Sequence, residues 1–428
     1  MNMSFQRLRL LAVYTVILAI SGDVANAQQP PPAVRIDLDQ AIRLALEHNH
    51  ALKAAETQIQ QSQAEEVTAS LRPNPVLTWD ALFVPFFSPD QLNKSYLNNI
   101  TEFDAAVAYT FERGHKRQAR IQAARDQTAQ MRSLVSDNER TLTFDVAQQF
   151  IAVLLAKSTL DFAHQNLSSF QQTVDLSESR YKSGAISEGD LLKIKLQMLQ
   201  FQTDVSSAQL ALVQSLASLR ELLGYDSVPA DYDVIGQLAY EPLHGNKEDL
   251  QLLALKQRPD YVAAEQGVTL AQSQFQLARA NGKRDLTTSA GYTRLANANN
   301  ASFIFNIEIP IFDRNQGEIA RSRYAITQSQ EAKAAAEESV MTDVETAYET
   351  VRTGQRVIQL YQSGYLKQSQ DSRDISEYAY KRGAASLLDY LDAERSYRST
   401  QLSFRQSLAT YMLAMEQLRE AVGTRNLP

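Results

Sequence analysis

Between residues 191 and 223 the apolar positions advance in steps of three and four: Leu191, Ile194, Met198, Phe201, Val205, Ala208, Leu212, Leu216, Leu219 and Leu223. That spacing keeps one stripe of a helix apolar over many turns, the seam along which long helices pack. The stripe returns 199 residues later as Tyr390, Ala393, Tyr397, Thr400, Phe404, Ser407, Tyr411, Met415, Leu418 and Val422. Other landmarks repeat as well. Arg180-Tyr181-Lys182-Ser183-Gly184 pairs with Ala379-Tyr380-Lys381-Arg382-Gly383, and Phe111-Glu112-Arg113 pairs with Phe312-Asp313-Arg314. Leu52-Lys53-Ala54-Ala55-Glu56 pairs with Tyr261-Val262-Ala263-Ala264-Glu265. The chain is two copies of one design, the first carrying a longer loop at about residues 87–100.

Residues 115–182 contain no Pro and no Gly, which predicts one helix of about 100 Å. Residues 317–382 repeat it, with Gly354 and Gly364 as places for local distortion. A Gly-containing turn and a return helix follow each, over 187–223 and 385–422, ending at Gly224 or Gly423. Elsewhere the period changes to two. Phe103, Ala105, Val107, Tyr109 and Phe111 alternate with Asp104, Ala106, Ala108, Thr110 and Glu112. Strands are expected at about 76–86, 102–112, 286–295 and 302–310, each near the 9–11 residues that a tilted strand needs to cross a bilayer. Segment 225–247 reads as a linker outside the helices, and 424–428 as a tail. The first repeat thus spans 28–224 and the second 248–423.

The first 27 residues read as a secretory signal peptide. Arg7 and Arg9 precede an apolar run from Leu10 to Ile20, and Ala25-Asn26-Ala27 offers small residues for cleavage. No later run approaches the roughly 18 apolar residues of a spanning helix. An exported chain that crosses a membrane without such helices must do so as a β-barrel; otherwise it is soluble in the periplasm. Four strands cannot close a membrane barrel, which begins at about eight. Two chains supply eight and three supply twelve, and the strand count leaves both open.

Composition narrows the function. Over 428 residues, 44% are hydrophobic and the net charge is −7, which argues against a nucleic-acid partner. The absence of cysteine removes disulfides, thiolate metal sites, thiol catalysis and an acylated N-terminus. His48 and His50, with three scattered histidines, make no metal site. No nucleophile triad, paired carboxylates or phosphate loop is present, so no enzyme activity and no cofactor is expected. Arg113, Lys116, Arg117, Arg120 and Arg125 cluster at a helix start, against its dipole, which calls for partners among lipid headgroups or the equatorial linker.

The two tip sequences, Tyr181-Lys182-Ser183-Gly184-Ala185-Ile186-Ser187-Glu188-Gly189-Asp190-Leu191 and Tyr380-Lys381-Arg382-Gly383-Ala384-Ala385-Ser386-Leu387-Leu388-Asp389, resemble those of the TolC family of outer-membrane efflux proteins. So do the junctions Phe111-Glu112-Arg113-Gly114-His115-Lys116-Arg117 and Pro310-Ile311-Phe312-Asp313-Arg314-Asn315-Gln316-Gly317, which look most like the heavy-metal (Czc/Cus-type) branch. His115 departs from that branch, which usually has a second Gly there. The resemblance covers the whole mature chain. It implies a mainly α fold with a transmembrane β-barrel: a homotrimer with a 12-stranded barrel, four strands per chain, continuous with a tunnel of long antiparallel helices in the periplasm. It implies an exit duct in the outer membrane, passively conducting substrate from a periplasmic adaptor and an inner-membrane pump of RND type, with heavy-metal cations as candidate cargo. Drug efflux and type I protein secretion are the alternatives within the class, and a structural coiled-coil envelope protein is the alternative outside it. By residue matching, the periplasmic gate comprises Asp190, Tyr380, Asp389 and Asp392, and the adaptor docks on tips marked by Gly184, Ser187, Gly383, Ser386 and Leu387. From spacing alone, Asp389 and Asp392 share a helix face and serve equally well as solvated acids at a helix start. An arginine of the family's lock falls at Ala385.

Overall fold

A computed structural model describes residues 34–427; the expected signal peptide lies outside them. The first repeat runs β1 (Arg35–Ile36), α1 (Leu38–His48), α2 (His50–Ser70), β2 (Val76–Leu82), α3 (Lys94–Asn99), β3 (Glu102–Phe111), α4 (Lys116–Lys182) and α5 (Glu188–Leu223). The linker holds β4 (Asp233–Val234), which pairs in parallel with β1. The second repeat runs α6 (Lys247–Gln257), α7 (Pro259–Asn281), β5 (Leu286–Leu295), β6 (Ala298–Ile307), α8 (Gln316–Leu360), α9 (Leu366–Arg382) and α10 (Leu387–Val422).

Helices α1, α2, α6 and α7 precede the β-hairpins and were not anticipated from the periodicity. The reason lies in what they bury: α2 covers only Leu52, Ser62 and Ala69, a seam of small and polar residues. Helix α4 is 67 residues long, about 100 Å at 1.5 Å per residue. It packs on α2 and α7 near the sheet and on α5 beyond the equator. At the equator Val146, Phe150 and Val153 of α4 share a core with Ala41 and Ile42 of α1 and Leu219 and Leu223 of α5. Its counterpart in the second repeat joins Leu250, Val340, Val344, Tyr411 and Leu418. The second long helix is not continuous: Tyr361–Tyr365 form one π turn around Gly364, whose φ of 136° only glycine adopts readily. Gly354 instead stays helical and admits Tyr411, whose Cδ2 would lie 3.2 Å from a Cβ there.

Three members of the basic cluster, Lys116, Arg117 and Arg120, find partners inside the chain. Arg117 Nε donates to the Ser70 carbonyl (2.5 Å), and Arg120 donates to those of Ala69 and Leu71 (3.0 Å each). These are the last carbonyls of α2 and its C-cap. The cations therefore serve the negative end of a neighbouring helix rather than opposing their own. Lys116 pairs with Asp285 at 2.8 Å, and Arg120 with Glu112 at 2.7 Å.

The four long strands form one antiparallel sheet in the order β2-β3-β5-β6. Register puts Trp79, Ala105, Tyr292 and Ala301 in one row, and Leu77, Val107, Ala290 and Phe303 in the next. That face is apolar and exposed, with Trp79, Leu77, Phe303 and Phe305 each more than two-thirds open. The opposite face carries Thr78, Asp80, Asp104, Ala106, Thr110, Thr287, Ser289, Gly291 and Ser302. It is crowded: a Cβ at Gly291 would sit 2.9 Å from Ala106 Cβ. Small residues on the crowded side are what a sheet curled toward that side requires.

Two strand boundaries differ from the sequence reading. Strand β2 stops at Leu82, not near 86, because Phe83 takes a φ of 57° and Pro85 follows without an N–H. Strand β6 covers 298–307 instead of 302–310. Ala296 (φ 54°) and Asn297 make a two-residue turn that brings Ala298 opposite Leu295 and fixes the register. At the far end of β6 the chain leaves the sheet ahead of Pro310.

Candidate gate and docking tips

Both helix-to-helix turns are built alike. Gly184 (φ 75°) and Gly383 (φ 78°) end the long helices in the left-handed region, and the following N–H bonds back five residues, Ala185 to Arg180 and Ala384 to Ala379 (2.8 Å each). Ser187 and Ser386 then cap the return helices, accepting from the N–H groups of Asp190 (3.1 Å) and Asp389 (3.2 Å). Leu387, expected to face an adaptor, is 8% exposed and packs in the tip core; Leu388 beside it is 75% exposed. Apolar surface at the tips thus comes from Leu388, Leu192 and Tyr181.

Tyr380 is 4% exposed, wedged between the two helical pairs. Its ring stacks on Tyr390 (5.5 Å, 8°), which stacks on Phe170 (6.4 Å, 8°), which meets Phe201 at 4.6 Å. This column crosses from α9 and α10 of one repeat to α4 and α5 of the other. The Tyr380 hydroxyl lies 3.4 Å from Ser177 Oγ, and that of Tyr390 lies 3.3 Å from Thr173 Oγ1. Arg180 donates to the Tyr380 carbonyl (3.0 Å) and sits 5.5 Å from its ring. Burial pushes the Tyr390 hydroxyl well above its ordinary range, so it stays a neutral hydrogen-bonding group.

The aspartates do not join this network. Asp190 accepts from Ser187 Oγ (2.9 Å) and pairs with Lys193 (3.5 Å). Asp389 accepts from both the N–H (3.2 Å) and the hydroxyl (2.7 Å) of Ser386, closing a capping box. Asp392 is exposed one turn on. Tyr380 therefore bonds Ser177, not Asp190.

Further along the tip the repeats are joined by an ion pair between Arg398 and Asp204, with Arg398 4.2 Å above the Phe201 ring. Beside it Glu394 is buried; burial pushes its carboxyl up, and the Arg373 and Arg398 charges pull it partly back. Ser177, Thr173, Asp204 and Arg398 carried no sequence signal of their own.

A sheet with one lipid-compatible face, continuous with helices on the order of 100 Å long that an aromatic column ties together near their far turns, has the architecture of a membrane-anchored duct. The profile of the family described as "Outer membrane efflux protein" matches residues 41–225 and 251–424, and the chain belongs to that family. It is the outer-membrane exit duct of a tripartite efflux system, with its helices in the periplasm. The chain is 27% identical to the pyoverdine export outer membrane protein OpmQ of Pseudomonas putida, covering 90% of this chain and 86% of that one. It is 23% identical to the cobalt-zinc-cadmium resistance protein CzcC of Cupriavidus metallidurans, covering 89% and 88%. The crystal structure of CusC superposes with a TM-score of 0.73 at 22% identity, over 94% of this chain and 96% of that one.

Proposed function

We propose that three copies of this chain assemble into a twelve-stranded barrel and a helical tunnel, docked at its tips to a periplasmic adaptor and an inner-membrane pump of RND type. The observation that carries this reading is the four-stranded sheet with an apolar face and two unpaired edges, on β2 and β6. Open edges do not persist in lipid, and the smallest membrane barrels need about eight strands. Edge β6 of one copy pairing with β2 of the next gives a closed ring with the polar, small-residue face inward. The cargo is taken to be a cation, because Asp389 and Asp392 add two acidic positions per chain where the helices converge. Tyr380 holds the tip closed through the stacked column and Ser177, and release of that column widens the exit.

Purified protein in mild detergent should run as a trimer and form cation-preferring channels in planar bilayers. A monomer without conductance would overturn the assembly, and an anion-preferring trimer would overturn the cation cargo alone.

A further inference from the structure

The rim where the sheet meets the helices has a lopsided charge. All four of its carboxylates are occupied: Glu112 by Arg120 (2.7 Å), Asp285 by Lys116 (2.8 Å), and Glu308 and Asp313 by Arg284 (3.2 and 3.7 Å). Arg72, Arg113, Arg117 and Lys283 at the same rim make no ion pair among the described residues. At the opposite end of the sheet Asp90 and Glu102 balance Lys94 and Arg294. An excess of unpaired cations thus lies on the periplasmic side only.

Part of that excess converges on a cleft of about 240 Å³ between the end of β3 and the segment entering β2, lined by Arg72, Tyr109, Phe111, Lys116 and Arg117, together with Glu112, whose carboxylate is taken up by Arg120. Tyr109 and Phe111 belong to the apolar face of the sheet, and their rings meet edge-on at 4.8 Å. Arg117 spends Nε on the Ser70 carbonyl, which fixes its plane and leaves its terminal N–H groups available. Arg72 makes no side-chain hydrogen bond among the described residues and is exposed. One wall of the cleft is cationic and the adjoining wall is the lipid-facing aromatic edge. A ligand that satisfies both has an anionic oxygen cluster attached to an apolar tail at membrane depth.

We propose that this cleft binds the phosphate group of an anionic phospholipid in the periplasm-facing leaflet, with its acyl chains running over Tyr109 and Phe111. A phosphate accepts forked hydrogen bonds from the two guanidinium groups, and basic pockets beside spanning segments select anionic headgroups. The proposal rests on the apolar face lying in lipid.

Trp79 is the sole tryptophan and stands 71% exposed on that face, three residues into the strand from Val76. The full-length protein is reconstituted in phosphatidylcholine vesicles doped with brominated phosphatidylglycerol or brominated phosphatidylcholine, and quenching of Trp79 is read. The anionic lipid should be favoured about fivefold, the preference expected of one effective cation at an anionic surface. Arg72→Gln with Arg117→Gln should bring the two lipids to parity. Arg72→Gln alone, which touches no helix cap, should lower the preference without loosening α2. Arg294→Gln at the far rim should leave it intact. Parity in the unaltered protein overturns the proposal. So does abolition of the preference by millimolar inorganic phosphate but not by chloride of equal ionic strength, since the cleft would then hold free phosphate rather than lipid. Quenching by neither lipid removes the barrel reading itself, and the proposal with it.

Discussion

The two repeats share a scaffold and differ in how they are fastened. At the knee between α1 and α2, Asn49 caps the helix and donates its side-chain amide to the Leu222 carbonyl at 3.0 Å. At the matching knee between α6 and α7 stands Arg258, 5% exposed in its side chain, paired with Asp260 (2.6 Å) and Asp343 (2.8 Å). Arg258 also donates to the Ala421 carbonyl (3.4 Å), 199 positions after Leu222. The same carbonyl, at the end of the same return helix, is satisfied by a neutral amide in one copy and a buried cation in the other. The long helices differ too, α4 being continuous and its counterpart broken at Gly364. The first repeat has an unbroken long helix and a neutral cap at the equator, and the second combines a charged anchor there with a π turn between that anchor and the tip.

The tips are where the repeats are most alike, and breaking them should have the largest effect. Gly184→Leu combined with Gly383→Leu forces two left-handed side chains, costing about 1–2 kcal/mol each, within turns that contribute little to the cores. Efflux should be lost while trimers remain in the membrane. Cross-linking to the adaptor at the unaltered level would show that the tips are not the docking surface.

The knees should separate next. Arg258→Met strands two partly exposed carboxylates and should cost about 3 kcal/mol, the low end for breaking a buried pair. Asn49→Ala removes a cap and one hydrogen bond, about 1–2 kcal/mol. Thermal unfolding in detergent should rank them in that order. The pH dependence gives an independent check. Burial raises the Asp260 carboxyl, but the Arg258 hydrogen bonds and charge outweigh it and hold it below its ordinary 3.8. A depressed carboxyl contributes stability that is present above its unfolded value and lost as pH falls through the folded one. The Arg258→Met deficit should therefore shrink below pH 3.8. Equal costs at the two knees would mean that the cation is only a larger cap.

What was readable beforehand follows the same division. Helices α5 and α10 announce themselves because their seams are long and repeat at one offset, and α4 because its 67 residues pass without Pro or Gly. Helix α2 does not, since Ser62 and Ala69 bury as well as leucine without looking hydrophobic. The register of β6 was hidden by Ala296, a residue with no turn preference that nonetheless holds a left-handed φ. At the gate, Tyr380 was legible from its motif, but Ser177 was not. A serine in a helix looks like any other until a second helix, 203 positions away, lays a tyrosine across it. The purpose of Arg117 and Arg120 was equally invisible, because it depends on where α2 ends.

The column joining the repeats should respond more mildly. Tyr380→Phe keeps the stack and loses one neutral hydrogen bond, about 1 kcal/mol, so the open fraction in bilayers should rise roughly fivefold with conductance unchanged. Glu394→Gln should act in the opposite direction. The Glu394 carboxyl is held above 4.5, chiefly by burial. A raised carboxyl favours the folded tip at pH below its unfolded value and loses that advantage as pH rises through the folded one. The glutamine variant should therefore be more resistant to opening at neutral pH, with the gap closing below pH 4.5. A gap that instead widens in acid would place Glu394 as a stabilising anion.

The smallest effect is expected from the aspartates, and the capping box makes it a sharper test than their spacing allows. Asp389 gives one oxygen to the Ser386 N–H and hydroxyl, so its charge is partly committed to the start of α10. Asp392 is exposed and has no such commitment. If both ring the constriction, Asp392→Asn should lower cation selectivity more than Asp389→Asn, and the double variant should relieve block by multivalent cations. Asp389→Asn retains a side-chain oxygen for the cap, so thermal unfolding should barely move in either single variant. Selectivity unchanged in the double variant, with stability intact, would leave Asp389 as a capping residue and Asp392 as a solvated acid, and would return the closing of the duct entirely to the aromatic column between the repeats.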